Sequence, residues 1–255
     1  MTFTYGAVDE SPDPQQAVIW QERLNERPAI RAYKQHTYEL VADARLVLDV
    51  GCGPGTDAAH LGRNRVVGLD PSSVMCRQAA QRGVTVCRGD ALALPFADEV
   101  FDACRCDRVM QHLTDPSAAV DELLRVTRPG GRIVVSDPDQ ESLVLHVPGV
   151  PRTFTDRVKR LRRDVGYRNG RLASELPEIF ASRRVTDIAV AAFPLVITDP
   201  GDAFGLPSWP RLWRDRGIGA WDDDELSRWD QAIDTSRTSG FVYALMYLVV
   251  SGTRP

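Results

Sequence analysis

Three glycines and one acidic residue follow a short apolar run, and they are the strongest candidates for a ligand site. LVLDVGCGPG contains the pattern DxGxGxG, formed by Asp49, Gly51, Gly53 and Gly55. Glycines at this spacing let the backbone turn sharply and approach a ligand closely. Thr56 stands where a dinucleotide-binding GxGxxG loop needs its third glycine. The loop therefore does not match the dinucleotide-binding pattern. Asp49, two positions before the first glycine, would repel a pyrophosphate, so it favours a ligand that carries a positive charge.

Two further acids end the next predicted strands. Asp70 stands 15 residues after Gly55, where a carboxylate can accept both hydroxyls of a ribose. Asp90 ends VTVCRGD and could accept a hydrogen bond from the exocyclic amino group of a purine. A single acid in such a position is often a cap or turn residue. Three acids at successive strand ends, beside a glycine loop, indicate a nucleoside-binding site.

The elements that must position these residues alternate between strand and helix. Short apolar runs that end in glycine or an acid are typical of buried parallel strands. Helices are expected at 74–83 and 116–131. The predicted strands are 46–51, 66–70, 84–90, 101–106, 132–137, 187–199 and 241–252. Five strands that alternate with helices predict a doubly wound, mostly parallel α/β sheet.

Chain length and element spacing predict a single domain over residues 1–255. We expect four parts within it: an N-terminal helical cap at 1–45, a cofactor-binding core at 46–137, a basic insertion with a helix at 138–186, and the last two strands with a Trp-rich helical insertion at 187–255. The intervals before the last two strands are longer than ordinary connections, so both should contain extra helices.

Composition argues against several classes of protein. Lys and Arg total 31 against 35 for Asp and Glu, and this net charge of −4 disfavours a nucleic-acid partner. The longest apolar run, FVYALMYLVV, is about half the length of a bilayer-spanning helix, and MTFTYGAVDE does not resemble a secretory signal. The five cysteines contain no CxxC pair, and no histidine stands at metal-ligand spacing to a cysteine. We therefore expect a soluble cytoplasmic protein with reduced thiols and no metal.

Five successive motifs resemble those of the class I S-adenosylmethionine-dependent methyltransferases. They are LVLDVGCGPG, VVGLDPSSVM, VCRGDALALPF, FDACRCDRVMQHLTDP and LLRVTRPGGRIVVSD, and together they cover about residues 45–140. The resemblance is closest to the small-molecule branch, which includes the ubiquinone and menaquinone C-methyltransferases and many enzymes of secondary metabolism. It implies a Rossmann-like sheet of seven strands with helices on both faces, an antiparallel last strand and inserted lid segments.

The same resemblance implies S-adenosyl-L-methionine as cofactor and a set of residues around it. Asp49 and the loop of Gly51, Cys52, Gly53 and Gly55 would hold the methionine part, and Asp70 with Pro71 would hold the ribose. Met75 would pack on the adenine face, although ordinary helix packing explains it equally well. The other implied cofactor contacts are Asp90 and Ala91 at the adenine edge, and Cys106, Asp107 and Arg108 at the methionine end.

Two residues are candidates for proton transfer from the acceptor. His112 follows the fourth predicted strand by a few residues, and an unperturbed imidazole would give a rate increase between about pH 6 and 7.5. It could equally well only support the loop by hydrogen bonding. Asp137, at the end of the fifth predicted strand, could act as a base, orient the acceptor, or be a turn residue before Pro138. His146, in the first insertion, is a weaker candidate.

The two insertions should determine which acceptor the protein binds. Four tryptophans precede the last strand, and WDDDELSRWDQAI predicts a helix capped by Asp222, whose apolar face either packs on the domain or forms a wall of the acceptor pocket. Residues 152–171 contain eight basic residues against two acids. This segment is either a solvated helix face or a surface on which Arg160 and Arg163 attract an acidic or carrier-bound acceptor.

These observations predict methyl transfer to oxygen or carbon of a small, aromatic or polyketide-like metabolite by in-line displacement. Nitrogen is less favoured because CDRV follows the fourth strand in place of an Asn-Pro-Pro-Tyr-type motif. Two alternatives remain: a cyclase-like enzyme that binds the cofactor without methylating, and an RNA or protein methyltransferase. The sequence is compatible with a monomer or a homodimer.

Overall fold

The protein is built around one twisted sheet of seven strands. The computed structural model describes residues 5–10, 13–62, 65–238 and 240–255, so parts of the predicted cap at 1–4 and 11–12 lie outside the described residues. The strands are β1 (Leu46–Val50), β2 (Arg65–Asp70), β3 (Thr85–Arg88), β4 (Phe101–Asp107), β5 (Thr127–His146), β6 (Thr186–Ile197) and β7 (Val242–Thr253). Their order is β3-β2-β1-β4-β5-β7-β6, and β7 runs antiparallel to both neighbours. The predicted fold class is confirmed.

Helices cover the sheet, and several begin at residues suited to that position. The α-helices are α1 (Pro14–Asn25), α2 (Pro28–Glu39), α3 (Thr56–His60), α4 (Ser73–Gln81), α5 (Pro116–Val126), α6 (Arg152–Leu161), α7 (Leu172–Ser182), α8 (Trp209–Asp215) and α9 (Asp223–Thr235). Proline occupies the first turn of α1, α2 and α5, where its missing N–H costs nothing. The side chain of Asp222 accepts from the amides of Asp224 and Glu225, so the predicted cap of α9 is confirmed.

The region around β5 differs from its prediction at both ends. The predicted helix 116–131 ends at Val126, and β5 begins directly after it at Thr127. The strand predicted to end at Asp137 continues to His146, because β7 pairs with it as far as His146. A register shift between Asp139 and Val144 accommodates this continuation. Asp137 therefore lies within a strand and not at its end, and the first insertion begins after His146.

Apolar residues fill both faces of the sheet. Val47, Ala103 and Val134 belong to one core cluster, and the neighbouring residues Leu48 and Cys104 belong to the other, as alternation along a strand requires. Helices α6, α7, α8 and α9 fill the two long intervals, as predicted. Within the described ranges, no helix has the length and apolar composition needed to cross a membrane.

Candidate active site

The glycine loop after β1 has a backbone conformation that requires glycine. Gly51, Gly53 and Gly55 all have positive φ angles, of 70°, 53° and 78°. A Cβ atom on Gly51 would collide with the side chain of Val109, and one on Gly55 would lie 2.7 Å from the Cβ of Ala79. The loop therefore packs too closely against these neighbours for any larger residue, and its backbone turns without side chains at these positions.

Asp70 is held in place at the end of β2. Its Oδ2 accepts from the amide of Gly53 at 2.9 Å, and its Oδ1 accepts from the amide of Ser72 at 2.9 Å. Because each carboxylate oxygen can accept more than one hydrogen bond, both oxygens keep capacity for a ligand hydroxyl. Burial raises the pKa of Asp70, and the two amide hydrogen bonds oppose that shift. The carboxylate is therefore positioned before any ligand binds.

A buried network of charged residues lies beneath the loop; we call it the ion network, formed by Lys34, Asp49, Asp57, Arg105 and Asp107. Arg105, on β4, donates to Asp49 and to Asp57 at 2.9 Å each. Lys34, on α2, donates to both oxygens of Asp57 at 2.7 Å. Both cations also lie 3.4 Å from Asp107. The network joins α2 to the sheet.

Asp49 has unused hydrogen-bonding capacity inside this network. Its Oδ1 accepts from Arg105, whereas its buried Oδ2 has no hydrogen-bond partner among the described residues. Burial raises the pKa of Asp49 to about 6, against the opposing effect of Arg105. A ligand ammonium group at Oδ2 would satisfy this oxygen and favour the carboxylate form. The α-ammonium group of S-adenosylmethionine has this chemistry, so the loop and Asp49 together fit that cofactor.

A cavity of about 1790 Å³ joins the glycine loop to the inserted helices. The predicted site residues that line it are Asp49, Gly51, Cys52, Asp70, Pro71, Met75, Asp90, Asp107, Arg108 and His112. Those that do not line it are Gly53, Gly55, Ala91, Cys106 and Asp137. Met75 packs in a small core with Val8 and Val18 and also lines the cavity, so its helix packing is confirmed and its contact with adenine stays a prediction.

The two candidate bases lie in different environments. His112 lines the cavity, and its burial, together with the charge of Arg108, lowers its pKa to about 4. The pH dependence expected between 6 and 7.5 therefore moves to lower pH. Asp137 is fully buried, and burial raises its pKa well above the usual range despite the nearby amides of Gln111 and Met110. It is protonated over a wider pH range than an ordinary aspartate, and it lies away from the cavity surface.

Arg108 lines the cavity directly after β4, in a strained backbone conformation. It has a positive φ of 59°, which is uncommon for a residue other than glycine. Its amide donates to the carbonyl of Ser136 at 2.7 Å, and its side chain reaches Asn25 of α1 at 3.3 Å. The backbone between β4 and His112 is therefore fixed to β5 and to α1.

The insertions contribute different aromatic residues to the cavity and to the core. Trp209 and Trp213 of α8 line the cavity. Trp229 of α9 is fully buried, and Leu226 and Ile233 share its face. This face therefore packs on the domain, which confirms the first of the two alternatives for it. Part of the basic segment 152–171 is held in ion pairs: Arg163 and Arg171 both bind Glu141 and Asp164.

Sequence reasoning missed the cationic half of the site. Lys34 and Arg105 were not among the predicted residues, although Arg105 interrupts an apolar strand between Cys104 and Cys106. A charge in a buried strand is a readable signal, because such a residue needs a partner. Lys34 carries no comparable signal, because a lysine on an amphipathic helix is normally exposed.

A sheet with one antiparallel strand, a glycine loop and acids at its strand ends define a nucleoside-binding α/β enzyme. Residues 48–135 match the family described as Methyltransferase domain. The chain is 39% identical over 189 residues to an uncharacterized 37.1 kDa protein in transposon TN4556 of Streptomyces fradiae; the match covers 68% of this chain and 53% of that protein. It is 37% identical over 148 residues to demethylmenaquinone methyltransferase of Thermobifida fusca, covering 49% and 63%. Both matches span less than two thirds of the relative.

A solved structure extends the likeness of the fold. Geranyl diphosphate C-methyltransferase from Streptomyces coelicolor, in complex with Mg²⁺, geranyl diphosphate and S-adenosyl-L-homocysteine, superposes with a TM-score of 0.54 at 16% identity. The superposition covers 96% of this chain and 87% of that one. Residues 48–135 therefore form a class I methyltransferase domain, whose cofactor is S-adenosylmethionine.

Proposed function

We propose that the chain transfers the methyl group of S-adenosylmethionine to an oxygen or carbon atom of a small molecule in the same cavity. The size of the cavity is the observation that carries this proposal. Its volume of about 1790 Å³ exceeds the roughly 300–1,000 Å³ of an ordinary single-ligand pocket, so cofactor and acceptor have room side by side.

The residues around the cavity have distinct roles in this proposal. Asp49 and the glycine loop bind the methionine part, and Asp70 binds the ribose. The bound cofactor supplies an electrophilic methyl group, so the protein chiefly has to orient the acceptor in line with it. Trp209, Trp213 and Tyr247 line the other part of the cavity, and their rings favour an aromatic or polyketide-like acceptor.

Calorimetry of Asp70→Ala tests the cofactor assignment. The variant should bind S-adenosylhomocysteine about ten- to a hundredfold more weakly, because it loses charge-assisted hydrogen bonds. Asp43→Ala is the matched control, since Asp43 is exposed and outside the cavity, and its affinity should not change. Equal affinity in both variants would reject the ribose role of Asp70.

A transfer assay tests the reaction itself. The protein is incubated with a metabolite extract and cofactor carrying a deuterated methyl group, and mass spectrometry should find a labelled small-molecule product. Binding of S-adenosylhomocysteine without any labelled product would favour the cyclase-like alternative. Label found only in RNA or protein would favour the macromolecular one.

A further inference from the structure

Arg162 is a buried cation in the wall of the cavity, and none of the described acids neutralises it. Its residue is only 3% exposed. Its Nε donates to Oε1 of Gln140 at 2.7 Å, and its Nη2 donates to the Tyr167 hydroxyl at 3.3 Å. Its Nη1 is buried without a hydrogen-bond partner. Within the described part of the chain, no carboxylate lies within 4.0 Å of this guanidinium.

Aromatic rings surround the same guanidinium. Its central carbon lies 4.4 Å from the ring centroid of Trp209, 5.2 Å from that of Tyr167 and 5.4 Å from that of Tyr243. The Tyr243 hydroxyl lies close to the guanidinium, although without the geometry of a full hydrogen bond. These contacts stabilise the guanidinium without supplying a counter-ion, and the rings of Tyr167 and Trp209 line the cavity, where a flat acceptor would pack against them.

A second buried arginine provides the contrast. Arg105 is equally inaccessible, and it contacts three carboxylates of the ion network. A buried charge without a counter-ion is costly, and proteins normally supply the partner from their own chain, as they do for Arg105. Arg162 is buried in the same way but has no carboxylate partner among the described residues, so an anionic ligand would supply its counter-ion.

The position of Arg162 connects it to the reacting end of the cavity. It begins a π-helical segment, Arg162–Gly166, and such segments are uncommon and often occur at functional sites. Gln140 links Arg162 to Gln111, with 3.4 Å between the two amide groups, and Gln111 directly precedes His112. The rings of His112 and Tyr167 are 5.8 Å apart.

We propose that Arg162 binds the carboxylate of the methyl acceptor, which is a small, flat carboxylic acid. This inference rests on the proposed function and specifies its substrate class. A carboxylate fits better than a phosphate or diphosphate, because a single buried cation of the described wall is left without an acid. Lys34, Arg105 and Arg108 also line the cavity, but each lies beside carboxylates of the ion network. Arg168 and Arg216 also line the cavity, but both are exposed.

Matched acid and amide ligands test this proposal. Ligand-observed NMR with S-adenosylhomocysteine present would measure binding of benzoate, 4-hydroxybenzoate and indole-3-acetate against their amides, with phenyl phosphate as the phosphate probe. At least one acid should bind the wild-type protein about ten- to a hundredfold more tightly than its amide. Arg162→Gln should abolish that preference. Arg160→Gln should keep it, because Arg160 is exposed two residues away.

A conservative variant guards against loss of folding. Arg162→Lys retains the charge and should keep part of the acid preference, and circular dichroism would verify that each variant is folded. The proposal fails if no acid binds better than its amide, if the preference survives Arg162→Gln, or if phenyl phosphate binds more tightly than benzoate. A calorimetric titration with S-adenosylhomocysteine separates the two proposals. If S-adenosylhomocysteine binds but no acid is preferred, only the carboxylic-acid acceptor is rejected. If S-adenosylhomocysteine does not bind, the proposed function itself is rejected.

Discussion

At the scale of single residues, burial decides what each titratable group can do. His112 and Asp137 are both attractive from their positions in the sequence, yet burial shifts their pKa values in opposite directions, since it disfavours the charged form of each. A histidine with a low pKa is neutral at physiological pH and can accept a proton, but it is a weak base. Burial raises the pKa of Asp137 well above its usual range and Asp137 does not line the cavity, so it is the weaker candidate for the base.

The rate of methyl transfer should reflect this environment of His112. We expect His112→Ala to lower kcat by about ten- to a hundredfold, the low end of general-base effects, because a weak base contributes less. In the wild-type enzyme the ionisation of His112 should appear near pH 4, and kcat should be nearly level from about pH 6 to 8. Measured pH profiles of both proteins check this. A wild-type limb near pH 6.5 that is absent from the variant would contradict the lowered pKa.

At the scale of elements, two neighbouring helices of one insertion have different tasks. Helix α8 directs Trp209 and Trp213 toward the cavity, while α9 buries Trp229 against Phe154 of α6, with 5.2 Å between the ring centroids. The indole N–H of Trp229 donates to the carbonyl of Pro207 at 2.9 Å. Helix α9 thus fixes the segment that carries α8, and it affects the acceptor side only through that support.

Replacement of Trp229 should therefore affect stability. We expect Trp229→Ala to lower the free energy of unfolding by about 3–5 kcal/mol, because it leaves a large cavity in the core. Urea denaturation followed by circular dichroism measures this. The control is Trp221→Ala, whose half-buried side chain should cost less. Equal losses in the two variants would argue against a core role specific to α9.

At the scale of the whole molecule, unequal proton binding by the folded and unfolded chains makes stability depend on pH. The pKa of His112 is about 4 in the folded protein and about 6.5 when unfolded. Between these values the unfolded chain binds more protons, so stability falls as the pH falls from 6.5 toward 4. Lys34, Arg105 and Arg108 lower the pKa of Asp107 against the effect of burial, so its contribution is lost only at still lower pH.

His112→Gln should remove the first of these losses. The unfolding free energy of the wild-type protein relative to this variant should decrease by roughly 2–3 kcal/mol between pH 7 and pH 4, since the glutamine does not titrate. Urea denaturation at several pH values measures the difference. A constant difference across this range would mean that His112 titrates normally in the folded protein.

The sheet, the glycine loop and the acids at or near the strand ends could be predicted from the amino-acid sequence. These features depend on local rules, since a positive φ requires glycine and a buried strand requires a short apolar run. The sequence also supplied the motif order from which the cofactor followed. The end of β5 escaped prediction, because Pro138 and Asp139 resemble a turn until β7 is present to pair with them.

Which charges are buried, and which partners they have, could not be predicted and became visible with the three-dimensional structure. Arg105 meets Asp49 and Asp57 across 56 and 48 residues of chain, and nothing local in the sequence specifies those pairs. Among the arginines near 160, one-residue differences in helical phase place Arg162 in the cavity wall and Arg163 in surface ion pairs. This is because the free energy that a charge contributes depends on the groups around it in three dimensions, and segments distant in the sequence supply those groups.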